Sequence, residues 1–332
     1  MAAAIAVAAV ALIVVLALAL GSDPAPDTAG ADAVPAECTG AEPGELRRQL
    51  GGRVIVRMEA TATPGLRRAA RAGEIGGVIL FPPPGTEAGA LAREIERLQA
   101  AARDAEAAPP LVAIDQEGGE VKRLPDLPPA DAPADLAGDP AAAGAAGAET
   151  GRALEEIGVN IDLAPVLDVP ASGSFLGSRT FGTEPGEVAE SGVAFAEGLA
   201  DGGVAAAVKH FPGLGRAAAN TDLEPSSVPA GRAGLEDDLV PFEAAIASGV
   251  EIVMLSNATY PALDPEAPAF ASPAIAQELL RDELGFTGVT ISDDLGAGAV
   301  RSRYDAAQAA VAAARGSTDL LLFALDADPD VL

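Results

Sequence analysis

The feature that most constrains this chain is an alternation. From residue 52 onward, eight short β-branched or aliphatic runs are separated by Ala-rich segments that carry charges at helical spacing. The runs are Arg53–Arg57, Gly77–Phe81, Leu111–Asp115, Asn160–Leu163, Val204–Lys209, Ile252–Ser256, Val289–Ser292 and Leu320–Phe323. Helical pattern falls between them, near residues 65–73, 87–105, 141–157, 186–201, 235–248, 273–284 and 304–315. Repeated β-α units imply a parallel sheet with helices outside it. Eight strands in roughly 290 residues predict a closed (β/α)8 TIM-type barrel, a single α/β domain, with a doubly wound open sheet as its rival. Few residues follow the last run, so the eighth helix is expected to be absent or to lie beyond residue 332, leaving a barrel that is incompletely closed.

Composition narrows the chemistry. Of 332 residues, 49% are hydrophobic and 21% charged, with mean hydropathy +0.26, which gives ample material for a core and no case for wholesale disorder. Lys and Arg number 21 against 49 Asp and Glu, a formal net charge of −28. A field of that sign repels phosphate backbones and anionic headgroups, so nucleic acid is excluded as a partner and the acidic surface is read as serving solubility. One cysteine, Cys38, cannot form an internal disulfide, and a single histidine, His210, leaves too few soft ligands for a zinc site. The chemistry must lean on carboxylates.

Residues Met1 to Leu20 carry no charge and read almost wholly Ala, Val, Ile and Leu. As a helix they would reach roughly 30 Å, the thickness of a bilayer core. Ala17-Leu18-Ala19 before Gly21 and Ser22 is similar to a signal-peptidase site, although no basic stretch precedes the apolar run. Residues 1–22 are therefore expected to be a signal peptide or membrane anchor, 23–44 a Pro/Ala/Asp-rich linker, and 45–332 the barrel. The protein is expected to be exported, either extracellular or tethered to the outer face of the cytoplasmic membrane, touching a membrane only through this segment. Glu37 and Pro35 do not suit a lipidation site at Cys38, which reads as an inert or oxidisable thiol.

Polar residues stand where the apolar runs stop: Asp115, Asp162, Lys209 with His210, Asn257, and Asp293 with Asp294. In a (β/α)8 barrel these strand ends share one face and converge on one site. Asp293, closing GVTISDD, is placed at the barrel mouth as a nucleophile, while Asp294 alternates away and can serve as a helix cap. Asp115, Arg123, Arg179, Lys209 and His210 supply the acceptors and cationic donors that sugar hydroxyls need. His210 could equally be a satisfied core residue, and Lys209 could pair with an internal aspartate. The Gly213-Leu214-Gly215 step lacks the Gly-Lys-Ser/Thr of a phosphate loop and reads as mobility over the barrel mouth.

Taken in order, DQEGGEVKRL, GVNIDLAPVLDV, SRTFG, VKHFPGLG and GFTGVTISDDL resemble glycoside hydrolase family 3, specifically its single-domain β-N-acetylhexosaminidase branch, over about residues 45–327. The resemblance implies a (β/α)8 barrel and retaining hydrolysis of terminal β-linked N-acetylglucosamine, with no metal or organic cofactor. It makes Asp293 the nucleophile and Asp115, Arg123, Arg179, Lys209 and His210 the substrate ligands. The family's usual acid/base is a His in an Asp-Ser-His triplet. Here Asn220, Thr221 and Asp222 occupy those three positions, and Leu214 replaces a further His. Asp222 becomes the candidate that protonates the leaving oxygen once loop closure removes it from water, with Glu224 as a second. FPPPG after the second strand, Phe81–Gly85, also departs from the branch, which commonly has a Gly or Arg and then Asn there. Two rivals remain: a catalytically impaired barrel that binds sugar or cell-wall fragments, and a family 3 enzyme acting on glucosides or xylosides.

Overall fold

The computed structural model describes residues 43–325. The predicted leader, most of the linker and any eighth helix lie outside them. Among the described residues no helix is long and apolar enough to cross a membrane.

All eight predicted strands form, and they are neighbours in chain order. They are β1 (Val54–Met58), β2 (Gly77–Leu80), β3 (Leu111–Ile114), β4 (Ile161–Asp162), β5 (Ala205–Phe211), β6 (Ile252–Leu255), β7 (Val289–Ser292) and β8 (Leu321–Phe323). The sheet runs β7-β6-β5-β4-β3-β2-β1-β8 with parallel pairing throughout. A further parallel bridge, Ile291 to Leu320, joins the two end strands. A doubly wound sheet reverses its strand order at a switch point; sequential order with the ends bridged is a barrel. That single bridge leaves the barrel nearly closed at the seam where incomplete closure had been expected.

The strands alternate as a barrel requires. Ile55, Ile79, Ala113, Ile161, Ala207, Ile252, Ile291 and Leu322, one from each strand, pack together in its interior. Their neighbours Val56, Val78 and Val112, and on the other side Val208 and Val253, face outward into the helical layer.

Helix ends follow local chemistry. Helix α1 (Pro43–Gly51) leads into β1, and α2 (Pro64–Ala72) starts where Thr63 Oγ1 accepts the Leu66 N–H and stops at left-handed Gly73. Helix α3 (Ala88–Arg103) follows β2. Asp139 caps α4 (Pro140–Glu155), which lies against α5 (Pro185–Asp201). Those two helices pack backbone to backbone: a Cβ on Gly147 would sit 2.2 Å from the Phe195 carbonyl oxygen, and one on Gly198 2.3 Å from that of Gly144. Helix α6 (Arg232–Ser248) follows β5, the π-helix α7 (Ala274–Glu283) follows β6, and the short α8 (Gly298–Arg301) and α9 (Ala306–Arg315) follow β7.

Two small hairpins were not anticipated, one of them Thr259–Tyr260 against Asp264–Pro268 after β6. Beyond β3 the chain folds into the other, Gln116–Gly118 against Val121–Lys122. Gly118 and Gly119 turn it with φ of +100° and +55°, and a Cβ on Gly118 would meet the Asp131 carbonyl oxygen at 2.5 Å.

Candidate active site

A cavity of about 170 Å³ opens at the C-terminal mouth of the barrel. Every site residue expected from the sequence lines it: Asp115, Arg123, Arg179, Lys209, His210, Asp222 and Asp293. Glu224, the second candidate, does not line it and is exposed. Asn257, named for its place after β6, instead donates to the Asp294 carbonyl oxygen.

At the floor lies a buried ion network. Lys209 Nζ, on β5, stands 2.9 Å from Asp115 Oδ1 and 2.7 Å from Glu117 Oε1. Arg179 grips Glu117 with two parallel bonds of 2.8 Å, and Arg123 approaches Asp115 at 3.4 Å. Burial by itself would push both carboxyls up; the Lys209 charge, helped by Arg123 at Asp115 and Arg179 at Glu117, outweighs it and holds both below the usual carboxylate range. The same two anions keep Lys209 charged although it is almost fully buried. Glu117 is thus paired by both Lys209 and Arg179, Lys209 keeps a third N–H beyond its two carboxylates, and Asp115 is the least buried of the three.

His210 is not free to turn. Its Nδ1 lies 2.7 Å from Asp168 Oδ2, its backbone N–H donates to Asp168 Oδ1 at 3.2 Å, and the Leu214 N–H donates to the same oxygen at 2.6 Å. One fully buried carboxylate therefore orients the imidazole and starts the loop after β5. The ring is a buried group held by Asp168 and also lines the cavity.

Phe81, the first residue of FPPPG, carries the Arg123 guanidinium over its ring at 4.1 Å and that of Arg57 at 4.6 Å. Phe81 thus supplies an aromatic rest for a cavity cation. Asp162 sits below the network, where Oδ1 accepts the Gln116 N–H and Oδ2 has no partner. Burial raises its pKa to about 8. Because the folded value lies above the ordinary one, Asp162 favours the fold most at low pH and loses that contribution progressively between about pH 4 and 8. Asp162→Asn does not titrate, so its melting temperature relative to the parent protein should climb across that window and level off above it. A difference that stays flat in thermal melts from pH 4 to 9 would show that Asp162 is ionised throughout.

Asp293 follows β7, half-buried, with Oδ1 accepting the Asp294 N–H at 2.7 Å. Burial pushes its carboxyl up, opposed by His210 and reinforced by the charge of Asp222. Asp294 does not cap a helix. Its carboxylate collects the N–H groups of Gly296 and Ala324 at 2.8 Å and Leu325 at 3.1 Å, a latch across the β7–β8 seam, and its pKa rises to about 7 because burial outweighs those bonds.

Glu117 and Asp168 are the functional residues that the sequence reading left out of the site. Both stand inside quoted motifs, DQEGG and APVLDV, and the available signal was an acid placed among residues too apolar to solvate it.

A parallel barrel whose C-terminal mouth gathers two solvent-facing carboxylates and a ring of held cations around a small polar cavity defines a carbohydrate-directed hydrolase. The description of the glycosyl hydrolase family 3 N-terminal domain matches residues 53–328, and the chain belongs to that family. A secreted glycosyl hydrolase of Arthroderma benhamiae, uncharacterised, is 35% identical over 84% of this chain and 82% of its own length. Among solved structures, a family 3 β-N-acetylglucosaminidase from Paenibacillus sp. is 34% identical with a TM-score of 0.81, covering 84% of this chain; the chain spans 55% of that protein. A β-N-acetylhexosaminidase from Beutenbergia cavernae is 35% identical with a TM-score of 0.79, covering 86% of this chain and 88% of its own.

Proposed function

We propose that the protein is a retaining β-glycosidase that removes terminal β-linked N-acetylglucosamine through a covalent glycosyl-Asp293 intermediate, with Asp222 as acid/base. The observation that carries this reading is that Asp293 and Asp222 line one small cavity and feel each other's charge. The glycone follows the Paenibacillus and Beutenbergia relatives.

In the first step an Asp293 carboxylate oxygen attacks the anomeric carbon while Asp222 gives its proton to the departing oxygen. In the second, Asp222 takes a proton from water, which opens the Asp293 ester and restores both carboxyl groups. Asp115, Arg123, Arg179, Lys209 and His210 hold the sugar hydroxyls. Held charges suit this task, since groups already ordered by Glu117 and Asp168 lose little entropy on meeting the sugar. The apolar segment 1–22 fits export, with a tether to the outer membrane face as the finer form of that proposal, and the Arthroderma relative is itself described as secreted.

Release of phenols from β-N-acetylglucosaminide, β-glucoside and β-xyloside substrates tests the glycone. Only the first is expected to be turned over well. Asp222→Ala should turn over unactivated aryl substrates about 100-fold or more slowly, with activated ones nearly spared and azide restoring their release. Absence of any azide effect on Asp222→Ala would remove Asp222 from the mechanism. If no phenol is released while N-acetylglucosamine binds, the sugar-binding barrel is the better reading.

A further inference from the structure

The loop that carries Asp222 is docked, and its dock is the segment that follows Asp293. The Gly298 N–H donates to the Asp222 carbonyl oxygen at 2.8 Å and the Ala299 N–H to that of Thr221 at 3.1 Å. Within the tip, the Asp222 N–H donates to Asn220 Oδ1 at 2.9 Å and the Ala219 N–H to Ser226 Oγ at 3.1 Å. Side-chain burial does little of the holding: from 221 to 224 only Thr221 is buried, and Leu223 is 77% exposed. Backbone contact does it instead. A Cβ on Gly298 would lie 2.1 Å from the Leu223 carbonyl oxygen and 3.0 Å from that of Asp222, so any side chain at 298 must lift the loop tip.

We propose that Gly298 is a positioning residue: its bare backbone seats the Asp222 loop on the same short stretch of chain that carries Asp293, and so sets the gap between the two carboxyls. The proposal rests on the reading of Asp222 as acid/base. A retaining pair must stand about 5 to 5.5 Å apart. Displacement by about 1 Å can cost about 100-fold in rate. The device also explains how a loop whose outer side chains face water can present its acid reproducibly, without the His-containing triplet that the branch normally carries.

The test compares Gly298→Ala and Gly298→Val with the parent chain on phenyl and dinitrophenyl N-acetyl-β-glucosaminides, with and without azide, beside Asp222→Ala. A dinitrophenolate departs without a proton, so its kcat/KM reports Asp293 alone. Gly298→Val is expected to lose about 100-fold in kcat/KM on the phenyl substrate and less than about fivefold on the dinitrophenyl one, with azide raising kcat and diverting product to the β-glycosyl azide. Gly298→Ala should show the same pattern, smaller. Equal losses on both substrates with no azide effect would mean that Gly298 is merely structural, and unchanged kinetics would mean that the loop does not need its seat; either overturns the proposal. Should the valine variant fail to fold by circular dichroism, Asn220→Ala removes the Oδ1 acceptor that holds the Asp222 N–H, and it should reproduce the split between substrates. If Asp222→Ala itself lacks azide rescue, the acid/base reading falls; if it shows rescue and the Gly298 variants do not, only the positioning role falls.

Discussion

Asp293→Asn is expected to lower turnover by at least about 10⁴-fold, on activated and unactivated substrates alike. An amide oxygen can still accept the Asp294 N–H that Asp293 Oδ1 receives now, so the shape of the β7 end is preserved. What it cannot do is form the ester. The loss should not be recovered with dinitrophenyl substrates, because leaving-group activation relieves the acid and not the nucleophile. Nor should the fold suffer. Burial already raises the Asp293 carboxyl, so an uncharged isostere removes a desolvation cost, and the melting temperature should hold or rise at neutral pH. Sugar binding, followed by titration calorimetry with N-acetylglucosamine, should persist. Retention of more than about a tenth of the parent rate would require another nucleophile.

Lys209→Met is expected to be the most destabilising single change at the site. The ammonium is the largest single counter-charge of two buried carboxylates at 2.9 and 2.7 Å, ahead of Arg123 and Arg179, and removing one partner of such a network typically costs about 3 to 5 kcal/mol. In a domain of this size that is a fall in melting temperature of about 10 °C. The effect should depend on pH in a definite direction. Asp115 and Glu117 lie below their ordinary values in the fold, so their contribution is present above the unfolded carboxylate range and is lost as pH falls through the folded values. The gap between variant and parent should therefore be widest near neutrality and narrow toward about pH 3. Melts across that range decide it: a gap that is constant with pH would assign the loss to packing of the Lys209 stem rather than to its charge. Arg179 stays paired with Glu117, which is why the variant is expected to fold at all.

The barrel was legible because its signal is repeated. Each run from Arg53 to Phe323 is short and apolar, each is followed by a helix pattern, and β-α alternation leaves few ways to bury both. Strand-end acids were legible for the same reason, since periodicity places Asp115 and Asp293 at one mouth whatever their partners. Partners were not legible. Asp168 reaches His210 across 42 residues and Arg179 reaches Glu117 across 62, and nothing in a local window distinguishes an acid that will be paired from one that will be solvated. Asp294 misled for a related reason. A cap and a seam latch both need an Asp just after a strand, and only the arrival of Ala324 and Leu325 decides between them. The loop tip was read from its Gly and Ala content alone, and its seat on Gly298 depends on a backbone approach that composition does not encode. The small hairpin at Gln116–Lys122 escaped because its strands are too short for any alternation to register.

The Asp294 latch ties the two ends of the chain's barrel to one carboxylate. Of the three main-chain N–H groups that satisfy it, Gly296 is local to the β7 end, while Ala324 and Leu325 come from just past β8, the last strand of the sheet. The residue next to Asp293 is thereby moored to a segment some thirty positions further along the chain, so the stiffness of the strand end that carries Asp293 is borrowed from the far edge of the same barrel.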